Sequence, residues 1–309
     1  MKRNFQNYIK EYGLKLFVSK AIRRQFLNSN SSLGQKINDY NEKLVSEKLQ
    51  KIFNEEEIDE TGLFEVKKKF DTLPIWIMWW QGYDKAPDLV KACINSVKRN
   101  NSSRPVIVLS ESNYEEYIGI PKYVKEKYEL GYITVTHLSD MIRVALLYIY
   151  GGVWCDATIL DVAEIPQKVF DSDFFTIKTG LKTKEPSHGE WTTFFLASQP
   201  GNELMRQIAV DHYKFWKQHN ELIDYIMFDY IIRMITQHES QTESQVKAVP
   251  KNNPNVFKLI QYINEPYQEV SEQIADFEKN TKLFKLSWKA EINNQGGTVY
   301  QHIIGKYLE

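Results

Sequence analysis

SDMIRVALLYIYGGVWCDATIL, running from Ser139 to Leu160, is the stretch whose reading decides the fold. Ser139 and Asp140 suit a helix start, because a serine hydroxyl can accept from the orphan amides of the first turn and an aspartate there suits the helix dipole. From Met141 to Tyr150 only Arg143 interrupts an apolar run, which predicts a helix buried on all sides. Gly151 and Gly152 stop that helix. Val153 to Leu160 then reads as one short buried strand, rich in β-branched and bulky residues. Asp156 lies inside it, where a carboxylate must be paired or bound to a cation. Asp140 and Arg143 stand three positions apart, on one helix face. Two readings stay open for these charges: a structural ion pair between Arg143 and a carboxylate, or groups held on rigid elements for a ligand.

Working outward, Ile75–Trp80 (IWIMWW) is an apolar strand, Pro87–Arg99 a helix with Leu89, Ala92, Cys93 and Val97 inward, and Pro105–Leu109 a second strand. Strand, helix, strand predicts an α/β fold: a mainly parallel central sheet flanked by helices. Ligands of such sheets bind beyond the carboxyl ends of the strands. Those ends are Trp79-Trp80-Gln81-Gly82 and Ser110-Glu111-Ser112-Asn113. Ile133-Thr134-Val135 reads as a short strand leading into the Ser139 helix. Phe174–Lys178 and Trp191–Ala197 read as strands, Glu203–Trp216 and Leu222–Ile235 as helices, and Glu239–Asn255 as a mobile or peripheral polar insert. Leu283–Leu286 leads into Ser287-Trp288-Lys289, and Asn293–Gly297 reads as a flexible turn.

Residues 1–70 form a separate N-terminal segment in this reading, ahead of a main domain over 71–309. Lys2, Arg3, Lys10, Lys15, Lys20, Arg23 and Arg24 stand against Glu11 alone in the first thirty residues, with apolar residues at helical spacing. Such basic amphipathic helices either lie on an anionic membrane surface or pack on the body with their lysines in water. Asn28–Gly34 reads as a polar hinge and Tyr40–Phe53 as a further helix.

SDMIRVALLYIYGGVWCDAT resembles the signature of DXD-type sugar-nucleotide glycosyltransferases, and most closely the bacterial capsular polysaccharide synthesis protein family (glycosyltransferase family 32-like). The match rests on the Ser-Asp-x-x-Arg helix and on Gly151, Gly152, Val153, Trp154, Asp156, Ala157 and Thr158, and the resemblance extends over roughly Leu73–Trp288. It implies a GT-A fold, with 71–180 as the nucleotide-sugar half and 181–309 as the acceptor half. It further implies transfer of a hexose from a UDP-sugar to a glycan or lipid-linked glycan, with retention of configuration. A protein acceptor and a non-catalytic sugar-binding protein are the rival readings. By the same resemblance Asp156, Asp140 and Arg143 are the catalytic residues. Donor contacts are expected from Trp79, Trp80, Gln81, Gly82, Ser139, Ala157, Thr158, Thr192, Ser287, Trp288 and Lys289 as well. A divalent metal, Mn²⁺ or Mg²⁺, is expected on Asp156 and Thr158, entering together with the UDP-sugar. Thr158 stands where the family has its second Asp, so metal bound by the apo protein should be weak, and basic side chains are the alternative partners of the leaving group.

Composition sets outer limits. The 309 residues are 42% hydrophobic and 26% charged, which suits a sizeable core, and the net charge of −1 implies no attraction to nucleic acid. Two cysteines, Cys93 and Cys155, both in apolar surroundings, read as buried hydrophobes of a reducing compartment, and with no early apolar run of signal or membrane length the expected location is the cytoplasm, at the inner face of the cell membrane where the membrane reading of the basic helices holds. The six histidines have no metal-ligand pairing, and neither a phosphate-cradling Gly-Lys loop nor a Gly-x-Ser-x-Gly is present, which counts against zinc enzymes, P-loop nucleotidases and serine hydrolases.

Overall fold

The computed structural model describes residues 5–26, 31–293 and 295–308. Two basic helices come first, α1 (Phe5–Tyr12) and α2 (Leu14–Phe26), parted at Gly13. In α3 (Ser32–Glu55) the Ser31 hydroxyl caps the N-terminus by accepting from the Gly34 amide at 3.0 Å. Of the expected hinge, Asn28 to Asn30 lie outside the described residues, while Ser32 to Gly34 are helical because that cap starts the helix early.

The expected strand–helix–strand unit follows as β1 (Ile75–Met78), α4 (Asp88–Asn100) and β2 (Val106–Leu109). After α5 (Lys122–Glu129) comes α6 (Val135–Tyr150), buried along almost its whole length. Ile133-Thr134-Val135 is not a strand. Thr134 is the N-cap, its hydroxyl accepting from the His137 amide, so Ser139 and Asp140 sit a full turn inside the helix rather than at its start. The expected strand over Val153–Leu160 is two, β3 (Gly152–Cys155) and β4 (Ile159–Asp161). The chain turns between them because the Asp156 amide donates to the Phe194 carbonyl and the Ile159 amide folds back onto the Asp156 carbonyl, both at 2.9 Å. Next come α7 (Gln167–Phe170), β5 (Phe174–Thr176) and β6 (Phe195–Ser198), the last covering only the end of the stretch read as strand. Helices α8 (Glu203–Gln218), α9 (Met227–His238) and α10 (Ser240–Ala248) form a run. The last lies in the polar stretch read as an insert, and it buries Thr242 and Val246. The described chain closes with α11 (Tyr267–Asn280), β7 (Leu283–Lys285) and α12 (Val299–Leu308); Asn294 of the expected turn is outside the described residues.

The central sheet has the order β2-β1-β3-β6-β5. β1 is parallel to both neighbours, placing Trp76 opposite Ile107 and Trp154, whereas β6 is antiparallel to β3 and to β5. Four of the five strands therefore run the same way and β6 alone is reversed. The ends of β1 and β3 and the start of β6 share one edge, the carboxyl edge where ligands bind in such sheets. A second, two-stranded sheet pairs β4 with β7, setting Ile159 opposite Lys285 at that edge.

One apolar cluster joins the sheet, α6, α8 and α9 to Tyr8, Tyr12, Leu16, Val45 and Leu49 of the first three helices. The N-terminal segment thus shares the core of the sheet. A smaller cluster on the outer side of α4 gathers Leu89, Cys93, Leu160, Phe284 and Ile303, so the C-terminal stretch returns to the first half of the chain.

The Gly-Gly pair between α6 and β3 is a packing requirement as well as a helix stop. A Cβ on Gly152, at φ 89°, would lie 2.1 Å from the Pro74 carbonyl oxygen, which belongs to backbone that cannot move aside. Gly201 has a similar φ of 77° but open space around it. Gly152→Ala should therefore lower the melting temperature by on the order of 10 °C or leave the protein insoluble, while Gly201→Ala should cost about 1 kcal/mol of backbone strain. Equal losses in the two variants would rule out close approach to Pro74 as the constraint.

Candidate active site

Asp156 leaves the end of β3 with its carboxylate about a quarter exposed and surrounded by donors. The indole of Trp154, two residues earlier on the same side of the strand, donates to Oδ1 at 2.9 Å. Arg143 Nη2 lies 3.5 Å from the same oxygen. Lys285, brought in by β7, donates to Oδ2 at 2.8 Å and to the Thr158 hydroxyl at 2.8 Å. Burial pushes the Asp156 carboxyl up, but the charges of Lys285 and Arg143 and the hydrogen bonds from Lys285 and Trp154 outweigh it and hold it below the usual carboxylate range.

Arg143 is the buried centre of this arrangement. From the third turn of α6 its guanidinium lies 3.3 Å from Asp140 Oδ1 and lies over the Trp154 ring at 4.8 Å. Nη1 donates to the Thr193 carbonyl just before β6. Its Nε is buried without an acceptor among the described residues. Asp140 in turn faces His137 Nδ1 at 3.5 Å. Of the two readings of Asp140 and Arg143, the ion pair is present: they are paired with each other, and the guanidinium also reaches Asp156.

Trp79 follows β1 at the same edge. Its ring meets that of Trp288 edge to face, centroids 5.7 Å apart, and its Nε1 is buried without a partner among the described residues. Trp288 is half exposed, with Lys289 Nζ 5.3 Å from its ring centre. Ser287 accepts from the Lys289 amide, and the Leu286 amide donates to the Thr158 carbonyl at 2.9 Å, tying this segment to the Asp156 turn. Ala157 and Thr158 are buried in that turn, Ser139 is half buried on α6, and in the turn after Trp79 Gln81 is exposed and Gly82 half buried.

Two expected contacts stand elsewhere. Trp80 is buried against Tyr114 and Tyr128, with centroids 5.5 and 5.3 Å away, and belongs to the core beneath the sheet edge. Thr192 exchanges hydrogen bonds with the Thr176 hydroxyl and fastens β5; it is its neighbour Thr193 that meets Arg143.

With this geometry in place, comparison with known proteins decides the family. The capsular polysaccharide synthesis protein family matches residues 23–303. The chain belongs to that family. The match begins inside α2, so it takes in most of the N-terminal segment, which the sequence motifs alone had left out. Among curated proteins, O-glycosyltransferase PaGT of Phomopsis amygdali is 28% identical over 127 residues, 38% of this chain and 31% of that protein. O-glycosyltransferase braB of Annulohypoxylon truncatum is 25% identical over 161 residues, 46% and 37% of the two lengths. The chain thus spans about a third of the curated relatives it matches. Distant likenesses among solved structures are the PaToxG glycosyltransferase (TM-score 0.36, 13% identity, 69% of this chain and 90% of that one) and apo WbbM, a bifunctional glycosyltransferase (TM-score 0.42, 10% identity, 78% and 50%).

The family resemblance led us to expect a divalent cation on Asp156 and Thr158, and the residues present do not fit one. Mg²⁺ and Mn²⁺ are hard ions held by several oxygens at about 2.0–2.2 Å. Among the described residues no three carboxylates, histidines or cysteines converge anywhere. A cation bound to both Asp156 Oδ2 and Thr158 Oγ1 would lie within about 5 Å of the Lys285 ammonium, which already bonds to both atoms.

Two functional candidates escaped the sequence reading. Lys285 stands alone in LFKL, and the rule that singled out Asp156, a lone charge inside an apolar strand, applies equally to it. Asp229, in the first turn of α9, accepts from the Trp191 indole at 2.8 Å and is pushed up to about 7 by burial, with Glu185 and Asp140 adding to the shift. Because the folded pKa lies above the unfolded one, folding takes up a proton at Asp229, and stability falls as pH rises through the window between the ordinary carboxylate range and about 7. Asp229→Asn keeps an acceptor for Trp191. It should melt higher than the parent at pH 8, with the difference shrinking steadily toward pH 4; a difference constant across that range would refute the shifted titration.

Proposed function

We propose that the protein is a UDP-sugar-dependent hexosyltransferase, acting with retention on a hydroxyl of a capsular or cell-surface polysaccharide intermediate. The observation that carries this reading is the convergence of Asp156, Arg143, Asp140 and Lys285 beside the Trp79–Trp288 pair, at the carboxyl edge of the sheet. Trp79 offers an aromatic face for a base, and its Nε1 and Arg143 Nε are buried donors without an acceptor among the described residues. Asp140 and Asp156 are acceptors for sugar or ribose hydroxyls. In the reaction, the bond between the sugar C1 and the diphosphate breaks with its electron pair going to the phosphate oxygen. The acceptor oxygen bonds to C1, and its proton passes to the departing diphosphate. Fixed cations and N–H donors beside that oxygen favour the charge that develops there. The two curated relatives are named O-glycosyltransferases, which supports a hydroxyl acceptor. Asp156→Asn should keep the melting temperature within a few degrees and lose most UDP-sugar hydrolysis and transfer, roughly 100-fold or more. Donor turnover at the parental rate would remove Asp156 from the site, and a parent inert toward every UDP-sugar would favour a sugar-binding protein.

A lipid-linked acceptor and a place at the cytoplasmic face of the membrane complete the reading, and the two free cysteines, both buried, agree with a reducing compartment. No described helix is long and apolar enough to cross a membrane. α2, however, exposes Leu14, Val18 and Ile22 at four-residue spacing, with Lys15 and Lys36 beside them. Lys20 is not part of this face, because it pairs with Asp224 at 2.7 Å. The protein should co-sediment with phosphatidylserine vesicles at low salt and release at high salt, since such charges are screened within about 10 Å at 0.1 M. Replacing Val18 and Ile22 together by Glu should abolish sedimentation; a double variant that sediments like the parent would exclude this face.

A further inference from the structure

Lys285 lies where the family's resemblance had led us to expect metal. It sits at the end of β7, nearly at the sheet edge, and it is the group on which Asp156 Oδ2 and the Thr158 hydroxyl converge. An ammonium has three donors. Two are engaged by those oxygens, the ammonium lies 5.3 Å from the centre of the Phe194 ring, and no third hydrogen-bond acceptor meets it among the described residues, while the side chain keeps 23% exposure. The position also has charge logic. The resemblance places a divalent ion on a pair of carboxylates; with one of them replaced by Thr158, the single carboxylate that is left, Asp156, matches one monovalent cation. The Thr158 hydroxyl can accept from an ammonium as readily as it binds metal poorly.

We propose that Lys285 takes the place of the divalent cation, its free N–H and its positive charge meeting the diphosphate of the donor, so that nucleotide binding and transfer need no metal. Asp156 and Thr158 are then positioning residues for the ammonium. Arg143 is too enclosed by Asp140, Asp156 and the Thr193 carbonyl to replace it alone, and the Lys289 ammonium lies over the half-exposed Trp288 ring, away from these oxygens among the described contacts. The inference rests on the nucleotide-sugar reading of the site and deepens it by naming the counter-charge of the leaving group.

Calorimetric titration of the purified protein with UDP separates the two. UDP should bind in EDTA as tightly, within about twofold, as with Mn²⁺ or Mg²⁺. Lys285→Gln keeps donors for Asp156 and Thr158 but removes the charge; it should weaken UDP binding by about tenfold or more and reduce the salt dependence of what remains. Lys285→Arg, which restores the charge, should recover part of the loss, and melting curves of both variants should show that each is folded. In Lys285→Ala, the oxygens freed from the ammonium should make UDP binding respond to Mn²⁺. UDP binding that requires Mn²⁺ in the parent, or that is unchanged in folded Lys285→Gln, overturns the inference and leaves the donor reading standing. Absence of UDP binding in both EDTA and Mn²⁺ overturns the donor reading and the inference with it.

Discussion

A charged carboxylate at the end of a central strand is tolerated only when cations come to it, and the arrangement around Asp156 is built to that requirement. α6 delivers Arg143, β3 delivers Trp154, and the small sheet delivers Lys285. Each of these elements is placed by something other than the charge itself. α6 is buried on all sides between the sheet and α8, β3 pairs with β1 and β6, and β7 pairs with β4. Because the cations are delivered by rigid packing, they need little reorganisation when a negatively charged donor arrives, the situation in which fixed charges act most strongly.

Much of this frame was legible along the chain. The all-round apolar character of Met141–Tyr150, the Gly-Gly stop and the lone Asp156 are local patterns, and they locate the helix, the sharp turn and the charged edge. The strand–helix–strand spacing of residues 75–109 likewise exposes the parallel half of the sheet. What local patterns missed has identifiable causes. Thr134 sits between Ile133 and Val135, a run with strand propensity, but its hydroxyl is needed as a helix cap, and the cap prevails. β3 and β4 look like one strand because their residues share one apolar, β-branched character, while the turn is closed by the Ile159 amide on the Asp156 carbonyl and held by the Asp156 bond to Phe194, which the local sequence does not show.

The site divides along the same line. Asp140, Arg143 and Asp156 lie within one stretch and were found together. Lys285 was not, because its partner is 129 positions away and the pairing exists only through the β4–β7 ladder. Trp79 and Trp80 are adjacent and chemically identical; only the packing of Tyr114 and Tyr128 around Trp80 tells which of them meets Trp288 at the sheet edge. Thr192 and Thr193 differ in the same way, one spent on fastening β5 and the other offering its carbonyl to Arg143.

The distance in sequence between Asp156 and Lys285 also orders events during synthesis. When the ribosome has passed β4, just beyond the middle of the chain, β1, β2, β3 and α6 are all present, and long-range pairing is the slow part of assembling such a sheet. The carboxylate then has Arg143 and Trp154 but not its lysine, and Leu160 and Cys93 still lack the apolar partners of the second cluster. Only when residue 285 emerges can one strand supply both at once, Phe284 for the cluster and Lys285 for the charge. The nascent protein is thus incomplete at the same point in packing and in electrostatics, and a truncated translation product that stops short of β7 would carry an exposed apolar patch for quality control to recognise while lacking the ammonium at its charged edge.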